Sequence, residues 1–234
     1  MNRFGAFAIH LGISLIIFAV LGYLILFHWY PDFFFASDGG WQGIRIVAFV
    51  DLVLGPVLTL VVFNPTKPKD ELKRDLSIIA AIQISCLSAG TYVVHSERPI
   101  AMVYADGSFQ SMSADDYAEA GQPLPDFQGF AGSPPHWVTV ALPEEFARQS
   151  AIRSENLRRG RSLKTISDLY VPFDVADIDP DRNGISEYEI QRIGTEVFEA
   201  FTAEHGGTAS DYVFLPFGTR YALALIAMHR TDRT

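Results

Sequence analysis

The feature that most constrains this chain is a set of three apolar runs, each about twenty residues long, inside the first ninety-four positions. They cover residues 6–27, 44–63 and 76–94. A helix of about twenty residues rises roughly 30 Å, the thickness of a bilayer's hydrocarbon core. A core helix of a water-soluble protein carries a polar stripe at a period of about 3.6 residues. The first run carries none, and His10 is its only strongly polar side chain. The pattern predicts three transmembrane helices, the second and third joined by a loop at 64–75.

Charge divides the chain at the same place. Residues 1–94 hold six basic and six acidic side chains; residues 95–234 hold twelve and twenty-one, and so account for the whole net charge of −9. The second part is long enough to bury a core of its own. The expected fold is a three-helix transmembrane bundle followed by a mixed α+β domain over 95–234. An acidic domain argues against a nucleic-acid partner, because phosphate binding needs a basic face. Cys86 is the only cysteine, so no intramolecular disulfide can form.

Loop composition sets an orientation. The 64–75 loop carries Lys67, Lys69, Lys73 and Arg74, whereas the segment between the first two runs has only Arg45 at its edge. By the positive-inside rule the N-terminus and this loop are cytoplasmic, and 95–234 lies outside, in the periplasm of a Gram-negative cell. The aromatic-rich 28–41 segment suits the headgroup region. A cleaved leader is not expected, since the first run is too long and large aromatics follow it. Nor does it match a prepilin leader, which has glutamate where this chain has His10 and has no second or third membrane helix.

Two features inside the membrane stand out. A carboxylate at a helix centre costs about 2.5–3.5 kcal/mol, so Asp51 is expected to face protein and to have a partner. Ser88 lies at matching depth, with Ser85 a turn away; His10 and Gln83 form a second match nearer the cytoplasmic side. Asp51 either binds a polar group on a partner's membrane helix or ties the second helix to the third. The tie is favoured, because a proton pathway needs more ionisable groups. Gly55 and Pro56 follow, the proline predicting a kink and the glycine a close helix approach.

In the second part, residues 100–104 and 109–112 read as a hairpin around Asp106-Gly107. A capped helix opens at Ser113 and ends at Gly121. Residues 137–142 predict a strand, 143–159 a helix with Glu144 and Glu145 in its first turn, and 186–204 a further helix. Strands are expected at 212–215 and 221–228. No nucleophile elbow, phosphate loop or zinc-protease helix is present, and His95, His136, His205 and His229 show no ligand spacing. The one metal-like motif runs from Asp179 through Asp181, Asn183 and Gly184 to Glu189. It opens as a calcium loop does, but Glu189 falls one residue before the position of the bidentate ligand. The choice is between a degenerate calcium site and an Asx turn capping the next helix.

The sequence also carries a resemblance. Arg3-Phe4-x-Ala6-Phe7-x-Ile9-His10, Trp29-Tyr30-Pro31, Gly39-Gly40-Trp41 and above all Val50-Asp51-Leu-Val-Leu-Gly55-Pro56-Val-Leu-Thr59-Leu-Val-Val-Phe63 resemble the TfpX/TfpZ family of type IV pilin accessory proteins. The likeness runs through Arg98-Pro99 and is looser beyond it. It implies a multi-pass inner-membrane helper of type IV pilus biogenesis, surrounded by lipid, with a cognate type IV pilin as partner. Such a helper acts on pilin stability, assembly or pilus dynamics, and it implies neither an enzyme nor a cofactor. The residues within that likeness expected to bind a partner or pack inside the membrane are His10, Asp51, Gly55 and Pro56. The alternative from another class is a calcium-responsive membrane sensor using residues 179–189.

Overall fold

The computed structural model describes residues 2–180 and 182–231. The chain divides into two compact units, Met1–Arg98 and Pro99–Thr234.

The first unit contains three helices long and apolar enough to cross a membrane, Arg3–Trp29, Gly40–Val62 and Lys69–Ser96. This is a membrane protein, and its helices outrun the apolar stretches inside them. The third begins at Lys69 because Asp70 and Glu71 sit in its first turn, where carboxylates meet the positive end of the helix dipole. At the start of the first, the Asn2 side chain accepts from Gly5 N–H at 2.8 Å. Outward apolar side chains such as Phe27, Val61 and Ile78 stay exposed, as suits a surface facing lipid.

The second helix packs against both others, while the first and third make little direct contact. At Gly43 a Cβ would lie 2.8 Å from Val94 Cγ1, so the missing side chain permits the close approach of the second and third helices. Tyr30, fully buried beyond the first helix, donates its hydroxyl to Val94 O at 2.8 Å. Pro56 does not end its helix. Residues Phe49–Leu54 form a wide π turn in which Gly55 N–H donates to Val50 O, five residues back. Proline has no N–H to offer the preceding turn, and the wider turn absorbs that mismatch.

The second unit is built on a six-stranded mixed sheet: β1 (Pro99–Ala105), β2 (Ser108–Ser113), β3 (His136–Val140), β4 (Tyr170–Pro172), β5 (Tyr212–Gly218) and β6 (Leu223–His229), in the order β4-β3-β1-β2-β5-β6. β1 and β2 form a hairpin whose turn residues Asp106 and Gly107 both have positive φ, 50° and 74°. That is the turn whose twist matches a two-residue hairpin. β1 runs parallel to β3 and β2 parallel to β5. One face of the sheet buries Ala101, Val103, Met112, Val138 and Val140 with Tyr117. The other gathers Tyr104, Phe109, Trp137, Phe173 and Phe217, with ring centroids between 4.8 and 6.3 Å apart. Tyr117 donates to the Tyr170 hydroxyl, which in turn donates to Lys164 O. Burial pushes both phenols above their ordinary range.

Several elements differ from the sequence expectation. The helix expected over 143–159 is Phe146–Arg158, so Glu144 and Glu145 precede its first turn. Leu142 packs on the sheet core and Glu145 is still extended, which delays the helix. The single helix expected over 186–204 is two, Glu187–Ile193 and Thr195–His205, split at Gly194 with φ 112° and ψ 124°. Only glycine reaches that conformation readily. β4 holds Pro172, which an edge strand tolerates because its outer N–H positions need no partner strand.

Candidate functional site

Asp51, on the π turn of the second membrane helix, is completely buried. Its Oδ1 accepts from Ser14 Oγ on the first helix at 3.0 Å and from Gln83 Nε2 on the third at 2.7 Å. Gln83 Oε1 lies 2.7 Å from His10 Nε2, and His10 Nδ1 lies 2.6 Å from Thr59 Oγ1. A carboxylate only accepts, so the Gln83 amide turns its NH₂ toward Asp51 and its carbonyl toward His10. His10 Nε2 is therefore a donor, and in the neutral ring Nδ1 accepts from the Thr59 hydroxyl. The chain of bonds joins all three helices and its donors converge on one carboxylate oxygen. The other, Oδ2, is buried and has no hydrogen-bond partner among the described residues.

Local sequence explains the assembly. His10 and Ser14 lie four residues apart on the first helix; Asp51, Gly55 and Thr59 repeat the same step on the second. A Cβ on Gly55 would sit 2.3 Å from Gln83 Oε1, so only glycine lets the amide reach the carboxylate. Pro56 is buried beside it, next to the turn it widens. Depth matching had pointed to Ser88 and Ser85 as partners of Asp51, but both are exposed. Ser88 lies five residues beyond Gln83, which turns it roughly 140° around the helix. Depth fixes height and leaves azimuth free. Ser14 escaped notice because one serine barely alters the hydropathy of an apolar run; the four-residue step from His10 was the signal for it.

The network forms the floor of an open cavity of about 410 Å³ between the first and third helices, walled by Ile9, Ile13, Ile79 and Ile84. It can hold apolar material against a buried acceptor.

The second candidate is the 179–189 loop. Asp181 lies outside the described residues. Asp179 and Asn183 come together: Asn183 Oδ1 accepts from Asp179 N–H at 2.8 Å and from Tyr104 Oη at 2.9 Å. Burial, then the charges of Asp177, Asp179 and Asp106, push the Tyr104 phenol up to about 12. Glu189 is turned elsewhere. Its carboxylate accepts from Ser186 N–H at 2.8 Å and from Ser186 Oγ at 2.9 Å, a capping box that holds it below the usual carboxylate range. Gly184, at φ 103°, presses on β5, where a Cβ would lie 2.7 Å from Val213 Cγ1. Among the described residues no three His, Cys, Asp or Glu side chains converge to hold a metal.

Comparison with known proteins gives a consistent picture. The chain is 32% identical over 134 residues to a fimbrial assembly protein of serogroup E1 from Dichelobacter nodosus, and 33% identical over 134 residues to the serogroup I protein of the same organism. Each match covers 56% of this chain and 52% of the relative, so the chain spans about half the length of these two. A third D. nodosus protein, the fimbrial assembly protein of serogroups C1 and C2, is 34% identical over 108 residues, 46% of this chain and 82% of its own length. No protein-family model and no solved structure matches. With identity above thirty per cent over most of that third relative, this chain belongs to the family of fimbrial assembly proteins.

Proposed function

We propose that this protein is a non-catalytic, chaperone-like accessory of type IV fimbria biogenesis, of the TfpX/TfpZ kind, that acts on its cognate pilin in the inner membrane. The observation that carries the reading is the match to fimbrial assembly proteins, joined to a membrane bundle whose buried polar network sits at the floor of an open cavity. Work on a membrane-anchored subunit needs a surface within the bilayer, and this bundle offers one. In this reading the N-terminus is cytoplasmic and the sheet domain periplasmic. The basic end near Lys67, Lys69, Lys73 and Arg74 supports that orientation. Deleting the gene is expected to lower pilin level or surface fimbriae, and a reporter fused at the C-terminus is expected to be active in the periplasm. Normal surface fimbriae in the deletion strain would overturn the function.

For the 179–189 loop we favour a turn over a calcium site, because the Asn183 side-chain oxygen already accepts from Tyr104 and Asp179 N–H and Glu189 Oε2 from Ser186. Titrating the intact purified protein with calcium is expected to release no heat at millimolar concentration; saturable heat restores the sensor reading.

A further inference from the structure

The cavity above Asp51 continues along the bundle. A second one of about 670 Å³ shares Ile17 and Leu87 with it and runs on between the first and third helices to Trp29, Tyr92 and His95. Together they make one lengthwise groove, lined on one side by the first helix from Ala6 to Trp29. That stretch rises roughly 35 Å, enough to cross the hydrocarbon core. In the first cavity Asp51 and Thr59 of the second helix form the floor; the second is lined by the first and third helices, mostly apolar, with Ser88, Thr91 and His95 among them. The first and third helices share the second as a neighbour and meet each other through the His10–Gln83 bond, with an open slot between them.

Apolar walls facing lipid cost nothing, since acyl chains are as apolar as leucine. Asp51 Oδ2 is different. It is buried within the bundle and lacks a hydrogen-bond donor among the described residues, although Ser14, Gln83 and His10 are all engaged with one another or with Oδ1. An unsatisfied acceptor in hydrocarbon is costly, and an acyl chain has no donor to offer.

We propose that the groove receives one membrane-spanning helix of the pilin, and that this helix presents a hydrogen-bond donor to Asp51 Oδ2. The identity of the occupant rests on the functional reading above; the need for an apolar helix with a donor rests on the groove itself. Asp51 is then a positioning residue that fixes the depth and facing of the docked helix, while the isoleucine walls supply area. Substitution by asparagine keeps one oxygen for Ser14 and Gln83 but puts an N–H₂ where Oδ2 was, so donor would meet donor.

The test is photo-crosslinking of the full-length protein in intact membranes that contain the pilin. A benzophenone side chain is placed in turn at Ile13 and Ile84, inside the groove, and at Val61, an exposed position on the second helix that lines neither cavity. Adducts to pilin are expected from Ile13 and Ile84 and not from Val61. Combining the groove probes with Asp51→Asn is expected to lower adduct yield about three- to tenfold, the loss of one interhelical hydrogen bond, at unchanged abundance of the protein. The probes on the unmodified Asp51 background keep the test valid even if the asparagine variant is poorly made. Adducts only to lipid, only to a second copy of this chain, or equally from Val61, in a strain whose fimbriae do depend on the gene, would overturn the groove proposal and leave the function standing. Fimbriae that do not depend on the gene sink the function first.

Discussion

The two units of this protein distribute their polar and apolar residues in opposite ways. In the sheet domain the centre is aromatic and aliphatic, and the hydrogen-bonding side chains work at the margins: Ser113 and Ser186 cap helices, Asn183 pins a turn, Asp106 sits in a hairpin. In the membrane bundle many large apolar side chains face outward, and beside a small apolar cluster around Ile25, Val47 and Val94 the interior holds Ser14, Asp51, Gln83, His10 and Thr59. The solvent explains the inversion. Water rewards the burial of apolar area, whereas lipid is indifferent to it and leaves close packing and hydrogen bonds to bring helices together. Function therefore announces itself differently in each half: a polar residue at the margin of the sheet is ordinary, and one at the centre of the bundle has a task.

The comparison breaks if apolar truncation acts alike in both units. Phe109→Ala removes a ring packed on Tyr104, Trp137, Phe173 and Phe217, and is expected to destabilise the sheet domain by about 3–5 kcal/mol. Ile16→Ala, on an exposed face of the first helix, is expected to change the bundle's stability by roughly zero. Denaturant titration for the domain and thermal inactivation in detergent for the bundle give the two values.

Gly55→Ala sharpens the polar side of the contrast. The added methyl group would drive the Gln83 amide off Asp51 and His10 together, and the expected loss is about 1–3 kcal/mol of bundle stability, from two interhelical bonds and a carboxylate left less satisfied. Gln83→Leu measured beside it is expected to cost a similar amount. Similar losses that do not add in the double variant would show that glycine acts through the amide.

A smaller loss than that of Gly55→Ala belongs to a marginal polar pair. Arg153 grips Asp106 at 2.6 and 2.8 Å, and this bond, aided by the charge of Lys164, holds the Asp106 carboxyl below its ordinary range. A depressed folded value means that the stabilisation is fully present above the unfolded value of about 3.9 and is lost as pH falls through the folded one. The pair is half-exposed, so Asp106→Asn, which keeps a residue able to adopt positive φ, is expected to cost about 0.2–1 kcal/mol at neutral pH. The variant should lose less stability than the parent between pH 5 and 3, read by urea unfolding at each pH (about the range over which carboxylates titrate).

Much of this was legible in the chain, for reasons that differ by region. Hydropathy announces a membrane helix because length and composition suffice, and Asp106-Gly107 announces its turn because few residues take positive φ twice running. The parallel pairings of β1 with β3 and β2 with β5 join distant segments and leave no local trace. Gly194 looked like one residue within a longer helical pattern, and its broken backbone follows from tertiary packing that no window of sequence contains. In the bundle Asp51, Gly55, Pro56 and His10 drew attention by chemistry alone. The match of His10 with Gln83 holds, whereas Asp51 pairs with Ser14 and Gln83 rather than with Ser88, because height along a helix is legible in the sequence and facing is not.

The π turn at Phe49–Leu54 has a consequence for how this protein tolerates change in length. It is an α-helix carrying one surplus residue, so the helix before it and the helix after it are out of phase by about 100° relative to an unbroken helix. Removing one residue from 49–54 would leave a helix just as apolar and almost as long, invisible to any hydropathy plot. It would also swing the segment bearing Gly43 away from the one bearing Thr59, so that Val94 and His10 could no longer be met at once. A substitution erodes this site by degrees; a single deletion would rotate half of it out of view.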